Sequence, residues 1–233
     1  MGDHGSEALF ECLIRLGDNT LILGHRLGEW CGHAPALEED IALANTALDL
    51  MGQTRHWLTL AGEVEGKGRS EDDLAMLRDV WDFRNVLLVE QPNRDYGHTI
   101  MRQFLFDHYH LLMLRGLSES TNERVAEIAI KSVKEVTYHA ERSADLVMAL
   151  GDGTEESHQR MQEALDRLYP YVGEMFETDA VDEAMAKAGI APLPSDLRAA
   201  FDAQLDAILA EATLTKPTDP FALKGGRTGF RHT

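Results

Sequence analysis

Between residues 41 and 54 the chain reads IALANTALDLMGQT, fourteen residues that hold one formal charge, Asp49. A helix built from such a run is apolar on almost every side, and the spacing predicts that it is buried nearly all round. An ionised carboxylate in that setting is costly unless it is paired, hydrogen-bonded, protonated or bound to a metal. Asp49 therefore needs a partner. One turn on, where a helical metal site of the E-x-x-H type places its imidazole, stands Gly52.

The same tension recurs along the chain. Over residues 6–30 two apolar sides alternate, Leu9, Leu13, Leu16, Leu23 and Leu27 against Phe10, Ile14, Leu21 and Ile22, and Asp18 falls inside the second. Gly32 and Pro35 break the chain before a second helix over 36–61, whose narrow polar strip is Asn45, Asp49, Gly52 and His56. A charged, glycine-rich loop follows. Leu74, Leu77, Trp81 and Leu88 then predict a third helix to Pro92. A fourth spans 96–117, with Asp107 in the core slot between Phe104 and Leu111. A fifth, 122–150, buries Val125, Ala129, Val136 and Val147 and carries Lys131, Glu135, Tyr138, His139 and Arg142 on another side. Tyr138 and the tryptophans read as core aromatics. Shorter helical pieces cover 154–176, bent at Pro170, then 180–188 and 194–214.

No strand-period alternation or tandem repeat interrupts this pattern. The chain is predicted to be all-α, an antiparallel helical bundle over residues 1–214 with additional helices and an irregular basic arm over 215–233. That arm carries Lys216, Lys224, Arg227 and Arg231 against Asp219, on a chain whose net charge is -18. Such acidity repels nucleic acid and anionic membranes, so neither is an expected partner. No run reaches the length of a membrane span, and Cys12 and Cys31 cannot build a disulfide framework, which together predict a soluble, cytoplasmic protein. Gly2 and Ser6 match the bare myristoylation pattern, which is too short to carry weight and is set aside.

Asp18, Asp49, Asp107 and Glu135 thus lie on the first, second, fourth and fifth helices, the acids of each helix pair about thirty residues apart, as in di-iron carboxylate bundles. Such a centre also needs a histidine one turn after two of its acids, because imidazoles fill the outer positions of cations bridged by carboxylates. Here Gly52 and Tyr138 occupy those places. His110 stands three residues after Asp107, on the wrong helix of its pair, and His139 four after Glu135. One reading is a degenerate remnant, Asp18, Asp49, Gly52, Asp107, Glu135, Tyr138 and His139, whose acids pair with Lys131, Lys134, Arg142 or a histidine. Glu135 alone also fits a solvated position. The alternative is a self-sufficient di-metal oxidase using the four acids with His110 or His139. No G-x-S-x-G, phosphate loop or C-x-x-C competes.

Five segments carry a family resemblance: RLGEWCGHAPALEEDIALAN at 26–45, ALDLMGQ at 47–53, LLVEQPN at 87–93, KEVTYH at 134–139 and GDGT at 151–154. From about Leu16 to Thr233 the chain resembles the PaaC family, the structural subunits of phenylacetyl-CoA epoxidases. The resemblance implies a ferritin-like fold without a functional iron site, no catalytic residue and no cofactor of its own. It implies a cytoplasmic complex in which a related catalytic subunit holds di-iron and epoxidises the aromatic ring of phenylacetyl-CoA during aerobic phenylacetate breakdown. A reductase with FAD and an iron-sulfur cluster supplies electrons from NADPH. The implied partner is that catalytic subunit, with self-association as a further option, and family members usually continue for a short segment past Thr233.

Overall fold

The computed structural model of the chain describes residues 3–218 and 221–233, so Gly2 and Asp219 lie outside the described residues. Nine α-helices run in order among them: α1 Asp3–Gly28, α2 Leu37–Glu65, α3 Glu71–Met76, α4 Leu87–Glu90, α5 Tyr96–Leu117, α6 Glu123–Gly151, α7 Glu155–Leu168, α8 Ala180–Lys187 and α9 Arg198–Glu211. The described residues include no strand, and the all-α, ferritin-like expectation holds. None of these helices is long and apolar enough to cross a membrane.

Two antiparallel pairs, α1 with α2 and α5 with α6, make the bundle. The first pair packs closely because Gly17 faces Leu58, where an added Cβ would stand 2.6 Å from Leu58 Cδ2. Leu13, Leu23 and Leu27 of α1 meet Leu50, Trp57 and Leu58 of α2, all removed from water. In the second pair α5 is the helix buried nearly all round, from Gly97 to Leu111, because α4, α6, α7 and α9 pack about it. The helix ends follow side-chain caps. Asp95 accepts from the His98 amide at 2.7 Å to start α5, and Asn122 accepts from the Arg124 and Val125 amides to start α6.

Three expectations need correction. The 41–54 run is not buried nearly all round: α2 leaves Leu37, Ile41 and Leu48 exposed and Asp49 only half-buried, since α1 covers one of its apolar sides and no described element covers the other. The third helix does not run from 74 to 92. It breaks after α3 into a loop with one 3-10 turn at Val80–Asp82, capped by Asp79, before the single turn of α4. Leu77 and Trp81, read as part of its core face, are exposed. Tyr138 is likewise exposed rather than a core aromatic, and of the three tryptophans only Trp57 is fully buried.

From 221 the chain has no regular structure yet is held at defined points. The buried Glu174 carboxylate accepts the backbone N–H groups of Gly225 at 2.8 Å and Arg227 at 3.1 Å through one oxygen, and that of Leu87 at 2.7 Å through the other. The Arg227 guanidinium donates to both oxygens of Asp182 at 2.8 Å. Glu90 accepts from the Thr233 amide and hydroxyl and from His232. Gly226 presses so close to the Asn85 carbonyl, 2.3 Å from an ideal Cβ, that no side chain fits there. Three of the arm's four cations already have acids, Lys216 with Asp206, Lys224 with Glu177 and Arg227 with Asp182. Glu174→Ala is therefore expected to lower stability by ~2 kcal/mol, since three amides lose a charged acceptor but regain water as the arm lifts. Limited trypsin digestion, cutting at Lys224 and Arg227, checks it: the variant should lose the arm well before the wild type does.

Candidate functional site

Asp18 sits on α1, removed from water on every side. Both its oxygens are taken. The Arg78 guanidinium donates to each of them, one bond at 3.0 Å, and the Arg84 backbone N–H donates to Oδ2 at 2.8 Å. Burial pushes the carboxyl pKa up, while Arg78 and the Arg84 amide work against it. Arg78 is itself nearly buried and stacks on the Phe83 ring at 4.3 Å. The loop that replaces the expected third helix thus exists to bring two donors to this acid. Neither arginine was among the partners that the sequence suggested, because nothing in a local window ties residue 78 to residue 18.

The other three acids belong to the boundary between α2 and α6 and to the adjoining face of α5. The two long helices run antiparallel, and polar pairs descend between them. Arg142 donates to Glu39, His139 Nε2 meets Asp49 Oδ2 at 2.9 Å, Gln53 donates to Glu135 at 3.0 Å, Lys131 meets His56 Nε2 at 3.0 Å, and Arg124 meets Glu63 at 3.2 Å. Lys131 is the donor at His56, whose pKa is lowered by burial and by that same cation, so the ring accepts as the neutral form. Asp49 pairs with a histidine, as one of the sequence readings had it. Glu135 is half-buried and held by an amide rather than by a cation.

Asp107 lies deeper, on α5, and is fully buried. Gln103 donates to its Oδ1 at 2.6 Å and its Oδ2 has no hydrogen-bond partner. Burial pushes its pKa up to about 6, opposed by His139, Gln103 and Ser143. His110 is buried too, its pKa driven down to about 3 by burial and by His139, which leaves it neutral. The Nδ1 atoms of His110 and His139, Gln53 Oε1 and Gln103 Oε1 are likewise buried without partners. The interior between α2, α5 and α6 is therefore polar and incompletely satisfied, which marks where a bundle of this kind would hold its chemistry.

The residues present do not fit a di-metal centre. Among the described residues no three His, Cys, Asp or Glu side chains converge to hold a metal ion. Asp18 is committed to Arg78 and Arg84. Gly52 is exposed, with open space around an ideal Cβ, so its position on α2 faces away from the bundle. Tyr138 also points outward, and His139, one residue on, takes the inward place. The structure brings together Asp49, Asp107, His110 and His139 as neighbours and leaves Asp18 apart. The residues that sequence reasoning missed are Gln53, Gln103 and Ser143. A glutamine four residues from each of two suspect acids, Gln53 from Asp49 and Gln103 from Asp107, was the signal that could have found two of them.

A family model described as phenylacetic acid catabolic protein matches residues 1–233. Among curated proteins, the chain is 46% identical over 217 residues to the C component of 1,2-phenylacetyl-CoA epoxidase from Escherichia coli (strain K12), across 93% of this chain and 87% of that one.

Proposed function

Because the chain belongs to the phenylacetic acid catabolic protein family, we propose that it is the structural, non-catalytic subunit of a phenylacetyl-CoA epoxidase. On this reading it scaffolds a related catalytic subunit that holds the di-iron centre and epoxidises the aromatic ring of phenylacetyl-CoA. The reductase of the complex supplies electrons from NADPH through FAD and an iron-sulfur cluster, so this chain binds no redox group. It works in the cytoplasm, as a helical domain over 1–214 with an arm over 215–233.

The observation that carries the proposal is the state of Asp18. A carboxylate that already accepts three N–H bonds, two of them from a buried guanidinium, cannot also neutralise a cation without stranding Arg78. With that acid gone, and Gly52 and Tyr138 in place of imidazoles, affinity for a metal pair collapses, since it depends on ligand number and geometry.

The test is gel filtration of the purified chain with the catalytic subunit, with elemental analysis of each alone. One stable complex is expected, with well under one iron per isolated chain. Failure to co-elute would remove the scaffold reading. Two tightly held irons per chain, surviving chelation, would favour the self-sufficient oxidase instead.

A further inference from the structure

A basic cleft lies where the start of α5 meets α7. Asp95 caps α5 through the His98 amide, and the turn before it holds Arg94 at φ 52°, a left-handed backbone that residues other than glycine seldom adopt. α7 comes close because Gly97 has no side chain: an ideal Cβ there would stand 3.2 Å from Met161 Sδ and 3.8 Å from Arg160 Cβ. Between the two helices this leaves a cleft of about 230 Å³, with Arg94, Asp95 and His98 on the α5 side and Arg160, Glu163 and Arg167 on the α7 side. The three guanidiniums reach solvent. Arg160 pairs with Glu156 at 2.5 Å, whereas Arg94 and Arg167 make no ion pair or hydrogen bond with any described residue.

More positive charge lies beneath them. Arg102, one turn along α5 from His98, is fully buried and has no carboxylate partner, donating instead to the Gln91 carbonyl and, at 2.7 Å, to Asn93 Oδ1. His98 lines the cleft, is only 4% exposed, and its ring makes no hydrogen bond with any described residue. Burial, helped by Arg102, Arg94 and Arg167 and opposed by Asp95, pushes its pKa down to about 4, so the ring is neutral and has one N–H to give. Asp and Glu number 40 in this chain against 22 Lys and Arg. Three guanidiniums at one place without an acid, Arg94, Arg102 and Arg167, are therefore a charge that the fold leaves for something else to neutralise.

We infer that this cleft binds the phosphate group of a small ligand, with Arg94 and Arg167 donating to its oxygens from opposite sides and His98 donating from below. Guanidinium suits that role because each can give two parallel N–H bonds to one oxyanion. The cleft is smaller than the roughly 300 Å³ or more of a pocket that encloses a whole drug-sized molecule, so it takes the anionic group and leaves the rest of the ligand outside. An acidic protein surface is the weaker candidate. Interface cores are apolar, and no residue lining this cleft is an exposed apolar one.

The experiment is isothermal titration calorimetry on the full chain in low-salt, phosphate-free buffer, with inorganic phosphate, adenosine 5′-monophosphate, adenosine and acetate titrated separately. It needs this chain alone and does not rest on the scaffold reading. Phosphate should bind once per chain with Kd of ~0.1–1 mM, more weakly as salt is added. Arg94→Gln and Arg167→Gln should each weaken it about tenfold, the loss of one charge-assisted contact. Glu163→Gln removes a repelling acid and should strengthen binding severalfold. Melting temperatures without ligand should be unchanged, these three side chains being exposed. A nucleotide that binds more tightly than phosphate, with adenosine silent, identifies a phosphate ester as the ligand; one that binds no more tightly identifies the free ion, and either result upholds the site. No binding of phosphate up to about 10 mM overturns the inference, as does acetate binding equally well, or binding indifferent to both arginine variants. A chain silent to phosphate whose arginine variants lose affinity for the catalytic subunit overturns it in favour of an acidic protein partner.

Discussion

Asp18→Ala is expected to cost about 3–5 kcal/mol, the loss measured when one member of a buried ion pair is removed and the other is left charged in the interior. Arg78 is the residue stranded, with its side chain 5% exposed against 0% for Asp18. For a domain of this size the melting temperature should fall by roughly 10 °C. The partner variant separates an ion pair from a metal site. Arg78→Met alone leaves an unpaired buried carboxylate and should be about as damaging, whereas Asp18→Leu with Arg78→Met removes both charges and should recover most of the loss. Recovery would be incomplete, because Arg78 also donates to the Asp82 carbonyl and the Arg84 amide loses its acceptor. Urea unfolding of the wild type, Asp18→Leu, Arg78→Met and the double variant gives the coupling energy directly. If Arg78→Met were harmless and Asp18→Ala kept full stability but abolished turnover of the assembled complex, Asp18 would be a ligand and the scaffold reading would fail.

Asp18 and Asp107 were visible in the sequence because each interrupts an apolar period, and a buried charge is a local contradiction that periodicity exposes; Asp49 stood out as the one charge in a neutral run, whereas Glu135 lies among charged and polar neighbours and carried no such signal. The partner of Asp18 was not visible, since Arg78 reaches it across sixty residues and no pattern in either segment encodes the pairing. The starts of α5 and α6 were legible because Asp95 and Asn122 are local cap residues. The failure at 74–92 has a physical cause. Leu74, Leu77, Trp81 and Leu88 keep a helical period, but Asp79 accepts from the Val80 amide to cap a separate turn, and Arg78 and Arg84 are drawn onto Asp18. Tertiary demand for two donors outweighed a weak helical preference. The misreading of α2 and of Tyr138 has another origin. An apolar stripe predicts burial without saying by what, and these residues face outward on the bundle's open side.

Asp107→Asn should stabilise the protein at neutral pH and do nothing for it near pH 4. The folded pKa of about 6 lies above the value of about 3.9 for a free aspartate, so the fold holds a proton that the unfolded chain releases first. Below about pH 4 both states are protonated and Asp107 carries no electrostatic penalty. As pH rises from about 4 to 6 the unfolded state ionises while the folded state does not, and stability falls by ~1.4 kcal/mol per unit, reaching up to about 3 kcal/mol before levelling off. Asparagine never ionises, keeps an oxygen for the Gln103 donor, and places an N–H where Oδ2 has no partner. The gain over wild type should therefore open between pH 4 and 6 and stay constant above. His139, Arg142, Asp49 and the neutral His110 surround the site, and the sign is set by burial, the largest cause of the raised pKa. Urea titrations at several pH values measure the gap, and a difference that does not change with pH would show that the Asp107 carboxyl has the same pKa folded and unfolded. The same variant tests the chemistry with little confusion from misfolding. As a scaffold residue, Asp107→Asn leaves turnover per assembled complex unchanged. A complex that is more stable, fully assembled and inactive would mean that the proton on Asp107 takes part in the reaction.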